Sequence, residues 1–402
     1  MLVIGAGDVV LRDRIVRGGS VIVDGERIAA IDEQPRDWPA DVQRIDAAGG
    51  FVLPGFVDVH VHGVAGHDVL DEGEALAFIA ARLPQFGVTA FCPTTVACPP
   101  PALRRVLAQV RAHRNRPLKR HARVLGAHLE SNFINPTMRG AQPADCLRLP
   151  PGNPETGAAF SSDDIMAVIA DHRDDVCIVT IAPELPGGLD LVKRFAAMGV
   201  LVSLGHSSAD FATANAAFDA GARHATHLFN RMPPLRHREP GLAGAVLARN
   251  EVTAELICDG HHVHPSVVRM AIAAKAAAGI VAITDGTAGS GLPVGSCARL
   301  GGRPITVSRE AAFLEDGTLA GSTLTMDGAF RMLLDRAGQS AVDAAAMCAT
   351  TPARALNLPD RGIIAPGARA DLVVLDGDRR VAYTCVGGHV AYSREHAGQM
   401  RA

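Results

Sequence analysis

Along the middle of the chain, short apolar runs rich in β-branched residues alternate with Ala- and Leu-rich stretches whose apolar positions recur every three to four residues. Eight runs read as strands: Phe51–His62, Val88–Thr94, Arg123–Glu130, Val176–Glu184, Val200–His206, His224–Asn230, Val252–Asp259 and Gly279–Asp285. The stretches between and after them predict helices over Glu74–Phe86, Pro101–His113, Asp163–Asp171, Leu189–Met198, Ala209–Ala220, Pro265–Ala278 and Thr325–Ala337. Strand–helix alternation implies a parallel sheet. Eight such units suit a closed (β/α)8 TIM-type barrel. A doubly wound open sheet is the alternative, but no Gly-rich phosphate fingerprint follows the first strand.

Both ends of the chain change pattern. Ser20–Val23 and Arg27–Ile31 flank the turn Asp24-Gly25-Glu26, and Asp371–Leu375, Val381–Val386 and His389–Tyr392 are β-branched runs broken by Gly and Asp. We expect one small β-domain built from residues 1–52 plus 358–402, with the barrel spanning 53–357. One stretch inside the barrel, Asn132–Gly157, is rich in Pro, Gly and Asn and has no clear period. A long loop in a compact fold is usually functional. Because it follows Glu130 directly, it is expected to form part of an active-site rim.

Composition narrows the functional classes. The 402 residues are 48% hydrophobic and 20% charged, with a formal net charge of -3, which suits a soluble globular protein. Neither nucleic acid nor a membrane surface is an expected partner, and an aromatic content of 4% leaves little for base stacking. The eight cysteines form no CxxC pair, which argues against a zinc ribbon or redox pair and for buried free thiols. The start, MLVIGAGDVVLRDR, lacks a basic segment followed by a long apolar one. No signal peptide is therefore expected. No apolar run approaches the roughly 18 residues of a spanning helix. The expected compartment is the cytoplasm.

The candidate chemistry lies where the predicted strands end. The first ends His60-Val61-His62, and alternation along a strand points both imidazoles to one face. The third ends in Glu130, the fifth in His206 and the eighth in Asp285, and the sixth carries His227. In a barrel the C-terminal strand ends converge on one mouth. Four imidazoles and two carboxylates there suit one or two divalent ions, zinc foremost, with iron, manganese or cobalt accepting the same donors. A bound divalent ion lowers the pKa of water toward about 7 and polarises a carbonyl. Asp285 is the candidate to carry a proton from the attacking water to a leaving amine; it is also a candidate metal ligand.

At these residues the chain resembles the amidohydrolase superfamily, and within it the N-acetylglucosamine-6-phosphate deacetylase family. The resemblant segments run from LPGFVDVHVHG (53–63) through AHLES, TIAPE, SLGHS, ATHLFNRMPPLRHREPGLAG, DGHHVHP, ITDGT and GTLAGSTLTM to TPARALNL (351–358). The resemblance implies a barrel, a small β-sandwich from both termini, and a homodimer. It implies a metal site at Glu130, His206 and His227, a second ion through His60 and His62, and Asp285 as catalytic acid/base. Glu130 would fill the role played elsewhere in the superfamily by a carboxylated lysine, since the fourth strand has no lysine. The implied substrate is a phosphorylated amino sugar. Asn230 and Arg231 would contact its phosphate, with Arg238 supplied across the dimer interface. His262 would contact the sugar, and Ala141, Gln142, Leu319, Ala320 and Gly321 would line the walls. A planar guanidinium suits phosphate because it donates two parallel hydrogen bonds.

Three positions depart from the family pattern. Ser131-Asn132-Phe133 stands where Gly-Pro-Phe is usual, Gln142 replaces a histidine, and Arg231 replaces a small residue. These are expected to alter the pocket wall and add positive charge beside the phosphate subsite. An amide can donate a hydrogen bond to an acetyl oxygen but cannot carry a proton. The competing readings are hydrolysis of another N-acyl substrate, a base deaminase, and a catalytically inert barrel. The last would be expected only if ligand positions had been lost.

Overall fold

The computed structural model describes residues 1–34, 42–154, 157–309 and 311–397. Eight parallel barrel strands follow in chain order: Phe56–Val61, Val88–Thr95, Ala127–Leu129, Val176–Ile181, Leu201–Leu204, His224–Ala225, Thr253–Ile257 and Ile280–Ile283. Each pairs with the next, and a parallel bridge from Val61 to Gly286 returns the last to the first. Val57, Val59, Ala90, Ile178, Ile257, Val281 and Ile283 come from strands all round the ring and form one buried cluster. The interior is therefore packed rather than hollow, as expected of the fold.

The expected helices form within a residue or two of their predicted ends, including Pro100–Asn115, Ser162–Asp171, Gly188–Ala197, Pro265–Gly279 and Met326–Asp335. Local chemistry sets these starts. Ser161 and Asp164 form a reciprocal capping box, and Asp210 caps Phe211–Asp219 by accepting from the Thr213 amide. Several elements escaped the pattern. The helix Gly241–Ala248 is built from small and aliphatic residues with no polar face, and most of it is buried. Cys297–Leu300, Arg303–Val307 and Ala312–Leu314 form a three-stranded antiparallel sheet after the eighth barrel strand.

Most predicted runs are longer than the strands they form, and in two the local cause is plain. The first run splits at Gly55: Phe51–Pro54 pairs with Leu372–Leu375, while Phe56–Val61 enters the barrel. A Cβ on Gly55 would lie 2.3 Å from the Thr89 side chain, so only glycine permits this transfer between sheets. The sixth run stops after Ala225, because His227, Phe229 and Arg231 adopt positive φ and turn the chain out of the sheet.

Both termini meet in one eight-stranded sheet. Leu2–Val10, Ile15–Asp24, Arg27–Asp32, Gln43–Asp46 and Phe51–Pro54 join Leu372–Leu375, Val381–Val386 and His389–Ser393. This sheet has its own apolar core, with Ile4, Val21, Ile28, Val52, Leu372 and Val374 among its members. Among the described residues no helix is long and apolar enough to cross a membrane.

Candidate metal centre and active site

The six residues singled out at the strand ends do converge. Oε1 of Glu130 lies 2.8 Å from His206 Nε2 and 2.9 Å from His227 Nε2. Its other oxygen lies 3.4 Å from His62 Nε2. Oδ1 of Asp285 is 3.2 Å from His62 Nε2 and 3.3 Å from His60 Nε2. The donors thus fall into two groups able to hold an ion, Glu130–His206–His227 and His60–His62–Asp285, with Glu130 between them. All six side chains are buried.

The backbone turns that aim these groups are strained. His206, His227 and Asp285 have φ of 47°, 29° and 48°, a region that non-glycine residues avoid. Such strain, of order 1–3 kcal/mol per residue, persists where the surroundings enforce it and is concentrated at functional sites. Here each turn directly follows a short strand.

The ring orientations fit metal ligation. Nδ1 of His206 lies 2.8 Å from the Met138 carbonyl, and Nδ1 of His62 lies 3.1 Å from the Thr94 carbonyl. Nδ1 of His60 lies 2.9 Å from Glu255 Oε2. Carbonyls and carboxylates only accept, so each Nδ1 carries a proton and each Nε2 is the atom turned to the centre, able to offer its lone pair to an ion. Nδ1 of His227 has no hydrogen-bond partner among the described residues. Nε2 atoms meet at 3.1 Å between His206 and His227 and at 3.3 Å between His60 and His62. Two lone pairs so close repel unless a cation or proton lies between them, which suits a divalent ion bound by imidazole and carboxylate.

Electrostatics agree. Burial alone would lower the His60 and His62 pKa values, yet the surrounding carboxylates raise them to about 9 and about 10. Burial alone would raise Glu130, and the His206, His227 and His62 rings hold it well below the usual carboxylate range. Asp285 is likewise lowered by His60 and His62 against the effect of burial.

A cavity of about 350 Å³ opens on this centre, a volume typical of small-molecule sites. Ala141, Gln142, Asn230, Arg231, His262, Leu319 and Gly321 line it beside Glu130, His62, His206, His227 and Asp285. His262 is oriented by Asp259, whose Oδ2 lies 2.6 Å from its Nδ1; burial lowers its pKa, and Asp259 reverses this to a net rise. The neighbouring His261 and His264 are exposed, and His264 caps the helix Pro265–Gly279.

Several expectations change on inspection. Ala320 does not line the wall: it is buried in an apolar cluster with Val96, Leu300 and Ala312, because consecutive residues of an extended segment face opposite ways. Ser131 and Asn132 do not reshape the pocket. Ser131 Oγ donates to the Thr180 carbonyl at 2.5 Å, and Asn132 Nδ2 donates to the Cys98 and Cys146 carbonyls at 2.9 and 2.7 Å. They pin the segment expected to be an unstructured rim, and two short 3-10 turns, Pro136–Met138 and Ala144–Cys146, order it further. Residues 155 and 156 of that rim lie outside the described residues. Gln142 turns its amide inward, accepting from the Ala97 amide at 2.7 Å and donating to Glu130 Oε2. Arg238 is exposed and does not line the cavity of its own chain, and Glu239 pairs with Arg236 at 3.3 Å.

The structure also shows a buried polar layer beneath the centre that strand-end reasoning passed over. Glu255 is fully buried and touches His60, His224 and the His227 amide. His128 Nε2 lies 2.9 Å from Thr180 Oγ1, and its Nδ1 donates to the Val59 carbonyl at 3.0 Å. The available signal was a lone acid or histidine inside an otherwise apolar strand.

The comparisons agree with this geometry. The family model described as the amidohydrolase family matches residues 51–391. The chain is 32% identical over 396 residues to the N-acetylglucosamine-6-phosphate deacetylase of Bacillus subtilis (strain 168), covering 98% of this chain and 97% of that protein. It is 34% identical over 374 residues to the N-acetylgalactosamine-6-phosphate deacetylase of Escherichia coli O157:H7, covering 92% and 93% respectively. Among solved structures, N-acetyl-D-glucosamine-6-phosphate deacetylase from Mycobacterium smegmatis is similar with a TM-score of 0.87. That protein, an aspartate-to-alanine mutant in complex with N-acetyl-D-glucosamine-6-phosphate, is 32% identical, with 98% of this chain and 99% of that one covered. The chain belongs to the amidohydrolase family, in the branch formed by these deacetylases.

Proposed function

We propose that this chain hydrolyses the N-acetyl amide of an N-acetylhexosamine 6-phosphate, foremost N-acetylglucosamine 6-phosphate, releasing acetate and the amino sugar phosphate. The observation that carries the reading is the pair of donor groups flanking Glu130 in a cavity that Asn230, Arg231 and His262 also line. His60, His62, Glu130, His206, His227 and Asp285 are the residues that would hold one or two divalent ions, zinc foremost. When bound, such an ion supplies Lewis acidity toward a carbonyl and makes water a better nucleophile at neutral pH.

The protein's own groups do the rest. Asp285 takes the proton of the attacking water and hands it to the amide nitrogen as the C–N bond breaks, so that the amine leaves neutral. The depressed pKa of Asp285 keeps it ionised and ready to accept. His262 orients the sugar ring. Asn230 and Arg231 meet the phosphate, joined in a homodimer by Arg238 of the partner subunit, which fits the absence of Arg238 from its own chain's cavity.

Acetate release should be followed from N-acetylglucosamine 6-phosphate, its galactosamine epimer, unphosphorylated N-acetylglucosamine and N-acetyl amino acids. The reading expects the phosphorylated sugars to dominate in kcat/KM. Equal or faster turnover of the unphosphorylated compounds would overturn the phosphate subsite and favour a different N-acyl substrate.

A further inference from the structure

We infer that Glu255 is a positioning residue that fixes the ring of His60 and thereby builds the His60–His62–Asp285 half of the metal centre. The inference rests on the reading that this half holds an ion.

The geometry is specific. His60 Nε2 faces His62 Nε2 and Asp285 Oδ1, both at 3.3 Å, only because the opposite nitrogen is turned into the barrel onto Glu255 Oε2 at 2.9 Å. No other described residue takes that role. The nearest ring, His128, packs edge-on at 4.6 Å between centroids, with both its nitrogens committed to Val59 and Thr180. The acceptor-only carboxylate requires the proton on Nδ1 and so leaves the Nε2 lone pair free for an ion.

Glu255 is costly to keep. It is 0% exposed, and among the described residues its hydrogen-bond and ion-pair contacts are to His60, His128, His224 and the His227 amide, with no lysine or arginine. A buried carboxylate with only imidazoles and a main-chain amide to offset its desolvation is costly. An apolar residue would fill the barrel interior more cheaply if packing were the only requirement. A carboxylate hydrogen-bonded to the far nitrogen of a metal-ligating histidine fixes the tautomer and raises the basicity of the ligand. The same oxygen also accepts from the His227 main chain at 3.2 Å, so one buried group ties together residues from both halves of the centre.

The test is a titration of metal-free protein with cobalt(II), following the visible absorption of each bound ion. His62→Ala serves to identify the ion of the His60 half. Wild type should take up two ions, and Glu255→Gln should weaken the His60-half ion by about 10–100-fold while leaving the other unchanged. In a His60→Ala background, Glu255→Gln should add nothing. The inference is overturned if Glu255→Gln binds both ions as wild type does, loosens both equally, or still weakens binding without His60. Uptake of a single ion by wild type also overturns it. Should the variant not fold, nitrogen-15 spectra of zinc-loaded wild type decide: the His60 signal, identified by its loss in His60→Ala, must show a protonated Nδ1, and a protonated Nε2 refutes the idea. Acetate release by wild type is scored separately, so an inactive protein with the expected metal behaviour would sink the deacetylase reading and leave this one standing.

Discussion

The two halves of the metal centre share Glu130 yet are held by different parts of the molecule. His206 and His227 sit beyond strand ends on left-handed turns, and the far nitrogen of His206 rests on the Met138 carbonyl of the rim loop. His60 and His62 sit at the seam where the barrel closes, backed by Glu255 and the Thr94 carbonyl. One half therefore depends on the order of a surface loop and the other on the barrel interior. Changes in the rim should reach the first half, and changes in the buried polar layer the second.

The largest expected effect comes from Asp285. Asp285→Asn should cut acetate release by about 10²–10⁴-fold, the usual contribution of a general acid–base group, while an ion at Glu130, His206 and His227 is retained. Near-normal turnover would remove Asp285 from the proton-transfer role. Next, Arg238→Ala should raise KM for phosphorylated substrates by about 10–100-fold, as expected for a charge-assisted hydrogen bond of roughly 1.5–3 kcal/mol. Mixing Arg238→Ala with Asp285→Asn chains should restore some activity if the arginine acts across a dimer, because one site then regains both groups.

Proton linkage offers a more graded comparison. Without metal, His60 and His62 hold their protons at neutral pH, because their pKa values are raised to about 9 and about 10. An ion must displace those protons, so its affinity should rise with pH through this range and fall on acidification. Calorimetry in two buffers of different ionisation enthalpy should detect proton release at pH 7. Affinity independent of pH would mean these rings are already neutral in the metal-free protein.

The smallest effects should come from the rim. Ser131→Ala loses the bonds to the Thr180 carbonyl and the Phe133 amide and should cost about 1 kcal/mol in denaturant unfolding, with kcat little changed. A large fall in kcat would return Ser131 to the pocket, contrary to its placement.

Much of this was legible because barrel strands end in a common plane. A run that finishes in His, Glu or Asp declares its side chain at the mouth, as His62, Glu130, His206 and Asp285 did, with His60 two residues before His62 and His227 carried within the sixth run. What stayed hidden depended on three-dimensional closure. Glu255 is one acid in an apolar run, and nothing local says that His60 lies opposite. The split of Phe51–His62 at Gly55 follows from a contact with Thr89, more than thirty residues away. Ser131 and Asn132 were read as altering the pocket wall because their neighbours line it, but their bonds turn them into the loop, whereas Gln142 does line the cavity and is tied to Glu130. Gly241–Ala248 has no polar face to give a helical period.

The most direct test of the central claim is acetate release from N-acetylglucosamine 6-phosphate by wild-type protein before chelation, after removal of metal, and after return of zinc. Turnover that disappears with the metal and reappears with stoichiometric zinc is the predicted result. Turnover undiminished in metal-free protein, or none in fully loaded protein, would contradict the account.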